Sequence, residues 1–215
     1  MIFSVNNQAK QTMKPEVAVE SIQKKRIGVY SGSFNPIHTG HAKLAEYLID
    51  KLIVDEVWFI VSPCNPLKKQ DEVLDEYIRL DMLMLAINHQ KCFKASDIEF
   101  TMPVPSYSID TLHKLTTNHT DCQFYLIIGS DNALVFDQWK NYSKILNEYP
   151  VLVYPRQGYD FKQVSELYPQ MQILKSPYYD ISSTTIREFI VQKKDVSQWL
   201  HPSVYQFIVD NNLYQ

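Results

Sequence analysis

Apolar positions along the chain change their period in a regular way. Short, dense apolar runs occur at 26–31 (RIGVYS), 55–62 (DEVWFIVS), 122–131 (CQFYLIIGSD) and 150–156 (PVLVYPR). Runs of this length, rich in β-branched and aromatic residues, read as buried strands. Two weaker candidates are 93–100 (FKASDIEF) and 171–176 (MQILKS). Between them the period lengthens. Ala45, Leu48, Ile49 and Leu52 stand at i, i+3, i+4 and i+7, as do Leu80, Leu83, Met84 and Ile87, so each set predicts one face of a helix. A further helix is expected after Ser106 as N-cap, with Ile109 and Leu112 on its apolar side. Another is expected from Trp139 to Leu146, and two closing helices from SSTTIREFIVQKK and PSVYQFIVDNN.

Strands alternating with helices imply parallel pairing, right-handed crossovers and helices on both faces of one sheet. The expected class is therefore α/β: a Rossmann-like doubly wound parallel sheet with a small C-terminal helical lobe. Residues 1–24 read as a polar N-terminal extension, partly helical from Pro15 to Ile22, and 25–215 as a single domain. In such folds ligands bind outside the carboxyl ends of the strands. That directs attention to the loops at 31–41, 62–70 and 129–139, and to the turn before Ile186.

Composition narrows the functional classes. Apolar residues make up 45% and charged residues 21%, as in soluble globular proteins, and the net charge is −3. A duplex-coating protein would carry a basic excess, so no nucleic-acid partner is expected. No apolar run approaches the ~18 residues of a membrane span, and the N-terminus lacks the pattern of a secretory signal, so a cytoplasmic protein without a membrane partner is expected. Cys64, Cys92 and Cys122 are widely spaced and odd in number, which fits three reduced thiols rather than a disulfide or zinc site.

The first loop concentrates unusual residues. Three of the chain's five glycines fall in GVYSGSFNPIHTGH, beside His38 and His41. Gly32, directly after the strand, lets the backbone approach a ligand or adopt positive φ. Gly40 opens the next helix, where free N–H groups favour an anion. The spacing matches neither the Walker A loop nor G-x-G-x-x-G. Two histidines three apart could bind zinc, but no third ligand lies nearby and HExxH is absent. On spacing alone, phosphate binding and two surface histidines without a role stay open.

Two motifs carry a family resemblance. GSFNPIHTGH resembles the first signature of the H-x-G-H nucleotidyltransferase superfamily, and ISSTTIR (181–187) its second. PSYSIDTL (105–112), IIGSDN (127–132), Trp139 and YPRQG (154–158) are similar to the nicotinate-nucleotide adenylyltransferase branch. The resemblance spans roughly residues 25–213. It implies transfer of AMP from ATP to nicotinate mononucleotide, giving deamido-NAD and pyrophosphate. It assigns catalysis to His38, His41 and Arg187. ATP contacts would come from Gly32, Ser33, Phe34, His38, His41, Gly129, Asp131, Ile181, Ser182, Ser183 and Arg187. The acceptor would meet Lys68, Tyr107, Asp110 and Trp139, with Trp139 on the pyridinium ring. Mg²⁺ would be bound through the ATP phosphates, with no protein metal site. Where relatives carry Pro-Pro-His-Lys this chain has NPLKK, with Leu67 at the histidine position, and Asn35 stands where many carry Asp. Alternatives are an enzyme for nicotinamide mononucleotide or phosphopantetheine, or a nucleotide sensor without turnover. A homo-oligomer is left open.

Overall fold

The structure is a computed structural model and describes residues 23–63 and 73–215. The expected Pro15–Ile22 helix, Cys64, Leu67 and Lys68 lie outside the described residues.

The dense apolar runs pair as expected. β1 (Lys25–Gly32), β2 (Glu56–Val61), β3 (Phe93–Ser96), β4 (Cys122–Gly129), β5 (Val151–Tyr154) and β6 (Gln172–Ile173) form one sheet in the order β3-β2-β1-β4-β5-β6. Every pairing is parallel. Alternate side chains of each strand enter opposite cores. Tyr30, Val57, Phe59, Val61, Ile127 and Leu152 join one cluster, while Ile27, Val29, Trp58, Ile60, Leu126, Val151 and Val153 join the other. The strands lack polar alternation because both faces are covered.

Helices α1 (Thr39–Asp50), α2 (Glu76–Ile87), α7 (Ser183–Val191) and α8 (Pro202–Asp210) contribute to the first cluster. Helices α3 (Ser108–Asn118), α5 (Tyr142–Glu148) and α6 (Phe161–Leu167) contribute to the second, and a single helical turn, α4 (Ser130–Ala133), follows β4. α7 and α8 make the small C-terminal lobe, anchored through Ile186, Val204 and Ile208. The strand order reverses between β1 and β4, which opens a crevice at their carboxyl ends.

Several elements depart from the sequence pattern. The third strand ends at Ser96, and residues 98–101 coil into a 3₁₀ turn. Tyr107, not Ser106, is the N-cap of α3; the Ser106 hydroxyl instead donates to Glu99 Oε2 at 2.6 Å. β4 stops at Gly129, so Asp131 belongs to α4. α5 begins at Tyr142 because Asn141 adopts a left-handed conformation, and this leaves Trp139 ahead of the helix. Leu52 does not join the α1 face: the helix ends at Asp50, and Leu52 turns outward at 73% exposure. Met84 is 45% exposed, and the buried face of α2 is Arg79, Met82, Leu83 and Ile87. α6, capped by Asp160, was not expected. Cys92 and Cys122 are unpaired. Among the described residues no helix is long and apolar enough to cross a membrane.

Arg79 is fully buried, and among the described residues its hydrogen bonds all go to backbone carbonyls. Its Nε donates to Leu74 O at 2.7 Å, Nη1 to Ser33 O at 2.6 Å and Ser62 O at 2.9 Å, and Nη2 to Pro63 O at 3.3 Å. One side chain thus joins the loops after β1 and β2 to the start of α2. Arg79→Leu leaves those carbonyls buried without donors, so we expect a loss of about 3 kcal/mol or more in urea unfolding. Met84→Ala, on the exposed side of the same helix, should stay within about 0.5 kcal/mol. A loss below 1 kcal/mol for Arg79→Leu would deny it this bracing role.

Candidate active site

The loop after β1 starts with a close approach. A Cβ on Gly32 would crowd the Phe34 ring at 3.2 Å. Phe34 takes a positive φ of 44° and buries its ring against Tyr30, Phe59 and His41. Its ring is therefore withdrawn from ligands, and any contact from this position is through the backbone.

His38 is the N-cap of α1, and the two histidines cap each other's backbone. His38 Nδ1 accepts from Gly40 N–H at 3.2 Å, and His41 Nδ1 accepts from His38 N–H at 3.3 Å. The rings stack 3.7 Å apart at 26°. An Nδ1 that accepts a backbone N–H carries no proton, so each neutral ring holds its proton on Nε2. The reciprocal cap thus fixes the tautomer of both imidazoles, with the N–H on Nε2. His38 is 7% exposed, and burial, with the Arg156 charge behind it, lowers its pKa to about 3. It is neutral at physiological pH.

The second motif docks on this loop. Ser182 caps α7 through Thr185 N–H. The Ser183 hydroxyl donates to Pro36 O at 2.9 Å, and Arg187 Nη1 donates to Asn35 O at 2.9 Å. A Cβ on Gly40 would meet Ile181 Cγ2 at 3.1 Å, so a glycine is what lets the two segments approach. Residues about 150 apart in sequence form one side of one site.

A third wall comes from the ends of β4 and β5. A Cβ on Gly129 would overlap Asp131 Oδ1 and sit 3.0 Å from Arg156 Cγ. Arg156 Nε lies 3.7 Å from Asp131 Oδ1, and its Nη2 donates to the Tyr154 hydroxyl at 3.3 Å. Tyr30 OH in turn donates to Tyr154 OH at 3.2 Å. Burial, then Tyr154, raises the Tyr30 phenol well above its usual range, so it remains protonated.

Beside this wall lies a cavity of about 190 Å³. Gly32, Glu99, Tyr107, Trp139, Lys140 and Tyr154 are among its lining residues. Trp139 packs on Phe136 with centroids 5.0 Å apart. Its Nε1 is buried and has no partner among the described residues. Tyr107 lies under Lys140 Nζ at 4.6 Å, and Lys140 also pairs with Asp110 at 2.8 Å. Glu99, buried, accepts from Ser106 and Thr111 and shapes the start of α3. Arg79, Glu99 and Lys140 carry no motif and escaped the sequence reading. Arg156 stood in a quoted motif, but only the folded chain sets it behind His38.

The fold and this assembly of strand-end loops define a nucleotidyltransferase. The cytidylyltransferase-like family model matches residues 29–189. A chain from Bacteroides fragilis, named a probable nicotinate-nucleotide adenylyltransferase, is 46% identical over 186 residues, covering 86% of this chain and 92% of the relative. One of the same name from Flavobacterium psychrophilum is 41% identical, covering 88% and 99%. The chain belongs to the nicotinate-nucleotide adenylyltransferase family. A solved structure of the Plasmodium falciparum nicotinic acid mononucleotide adenylyltransferase with NaAD superposes with a TM-score of 0.76 at 22% identity, covering 88% of this chain and 97% of that one. That likeness is one of fold.

The buried neutral His38 has a pH consequence. Its folded pKa lies below the unfolded value of 6.5, so the unfolded state binds the proton first as pH falls. The contribution is lost between about pH 6.5 and pH 3, at about 1.4 kcal/mol per pH unit at most. Urea unfolding of wild type and His38→Gln at pH 7, 5.5 and 4.5 should show the variant gaining about 1 kcal/mol relative to wild type per unit of acidification. Parallel curves would mean that His38 is not held neutral by burial.

Proposed function

We propose that the protein transfers the AMP group of ATP to the 5′-phosphate of nicotinate mononucleotide, releasing pyrophosphate and deamido-NAD. The observation that carries this reading is the docking of the 181–187 segment onto the 35–40 loop at the sheet's switch point. Family membership supplies the substrate class.

The nucleophile is an oxygen of the acceptor phosphate. A phosphomonoester has a second pKa of about 6, so it is ionised at pH 7 and needs no general base. It attacks the α-phosphorus of ATP; the bond to the bridging oxygen breaks, and its electron pair leaves with pyrophosphate. Catalysis then consists of alignment and charge compensation. In this reading the Nε2–H groups of His38 and His41 donate to phosphate oxygens near the transferred group. Arg187 holds the outer phosphates with the N-terminal turn of α7, including Ser182 and Ser183. Ile181, Gly32, Ser33 and the Phe34 backbone line the ATP channel, and Gly129 and Asp131 meet adenosine. The acceptor ring lies on Trp139, with Tyr107 and Asp110 beside it and Lys68 toward its phosphate.

The donors at the site are imidazoles, hydroxyls and guanidinium groups, and among the described residues no three His, Cys, Asp or Glu side chains cluster as a cation cage. This suits a divalent cation, Mg²⁺ in this reading, carried on phosphate oxygens and water, where it would offset charge on the leaving group. In this reading the protein is cytoplasmic, and residues 25–215 act as one domain.

Pyrophosphate release with ATP should be much faster with nicotinate mononucleotide than with nicotinamide mononucleotide or phosphopantetheine. Equal rates for both mononucleotides would defeat the substrate assignment, and no release with any acceptor would favour a sensor. His41→Ala should lower kcat by about 10²–10³ with a smaller change in KM for ATP, since its donor serves the transition state. An unaltered kcat would remove it from the mechanism. Trp139→Ala should raise the acceptor KM roughly 2- to 30-fold, the equivalent of about 0.5–2 kcal/mol, and leave that for ATP nearly constant. Equal shifts in both would make Trp139 a packing residue.

A further inference from the structure

The last turn of the chain returns to the first loop. After α8, Asn212 and Tyr214 adopt positive φ values of 50° and 66°, and Leu213 N–H donates back to Ile208 O at 3.0 Å. This tight reversal delivers the Tyr214 hydroxyl to Asn35 Oδ1 at 2.7 Å, across 179 residues of sequence. Leu74 N–H also reaches this oxygen, at 3.4 Å, a much weaker contact. The backbone oxygen of Asn35 meanwhile accepts from Arg187. Asn35 is 4% exposed and three residues ahead of His38. One asparagine therefore touches both motifs, and its side chain is held by the penultimate residue.

We propose that Tyr214 is a positioning residue: its hydroxyl holds Asn35, and through Asn35 it keeps the histidine loop and Arg187 in the register that AMP transfer needs. This rests on the function proposed above. The hydroxyl is suited to the task because it is a donor on a rigid ring, and burial raises its pKa against the opposing charges of Arg187 and Arg79. It stays an O–H donor across the working pH range. Asparagine suits the other side. Its Oδ1 accepts from a phenol and an amide without adding a negative charge beside Arg187, as an aspartate would.

Tyr214→Phe removes one oxygen and keeps the ring. Misplacement of reacting groups by a fraction of an ångström is read in kcat more than in binding. With ATP and nicotinate mononucleotide we expect kcat to fall about tenfold or more while both KM values stay within about twofold. Amide hydrogen exchange at residues 33–38 should rise about tenfold, with no change in β4. Asn35→Ala should match Tyr214→Phe in kcat, and the double variant should be no worse than Asn35→Ala alone, since the two act as one unit. Tyr178→Phe, on an exposed tyrosine, is the control. Unchanged exchange at 33–38 would overturn the hold, and raised exchange with an unchanged kcat would overturn the positioning role. A wild type inactive with every acceptor refutes the functional reading instead, and exchange then decides the hold by itself.

Discussion

The loop after β1 is braced by two guanidinium groups and a hydroxyl, all bonded to its carbonyls. Ser33 O is taken by Arg79, Asn35 O by Arg187 and Pro36 O by the Ser183 hydroxyl. A guanidinium bonded to a carboxylate is neutralised; one bonded to a carbonyl keeps its charge. The bonds thus do two things at once. They withdraw backbone acceptors that would repel an anion, and they leave cationic charge at the carboxyl edge of the sheet. Burying the Arg79 guanidinium is costly, and burial lowers its pKa. The cost is offset by several charge-assisted bonds in one place, each stronger than a neutral pair.

The same economy of atoms governs the imidazoles. Each uses Nδ1 to satisfy a backbone N–H at the start of α1, where orphan donors need a partner. The cap and the functional donor are then two ends of one ring. Stability and chemistry are coupled here: a residue that lost its Nδ1 acceptor would free the helix start and randomise the donor together.

Much of this was legible in the chain. The places of the main strands along the chain followed from unbroken apolar runs, since a strand buried on both faces has no alternation to hide it. The two motifs pointed to the strand-end loops, and the structure brings 35–41 and 181–187 into contact. What escaped was of a different kind. Arg79 sits at a helical spacing where only apolar residues were sought, and a lone arginine gives no sign of which distant carbonyls it will meet. Glu99 lies in a segment read as strand, and its partners Ser106 and Thr111 emerge only when 98–101 coils. Leu52 and Met84 matched the helical period, but the period does not say where α1 ends or which side of α2 meets the sheet. Tyr214 gave no signal, because a reversal through positive φ at residues other than glycine is not written in composition.

The central claim is that two imidazoles from the first loop and a guanidinium from α7 serve one triphosphate. A crystal structure with a non-hydrolysable ATP analogue tests it most directly. The account predicts Nε2 of His38 and His41 and the guanidinium of Arg187 all within about 3.2 Å of oxygens on the same polyphosphate chain. A triphosphate seated elsewhere, or contacted by only one of the two segments, would contradict it.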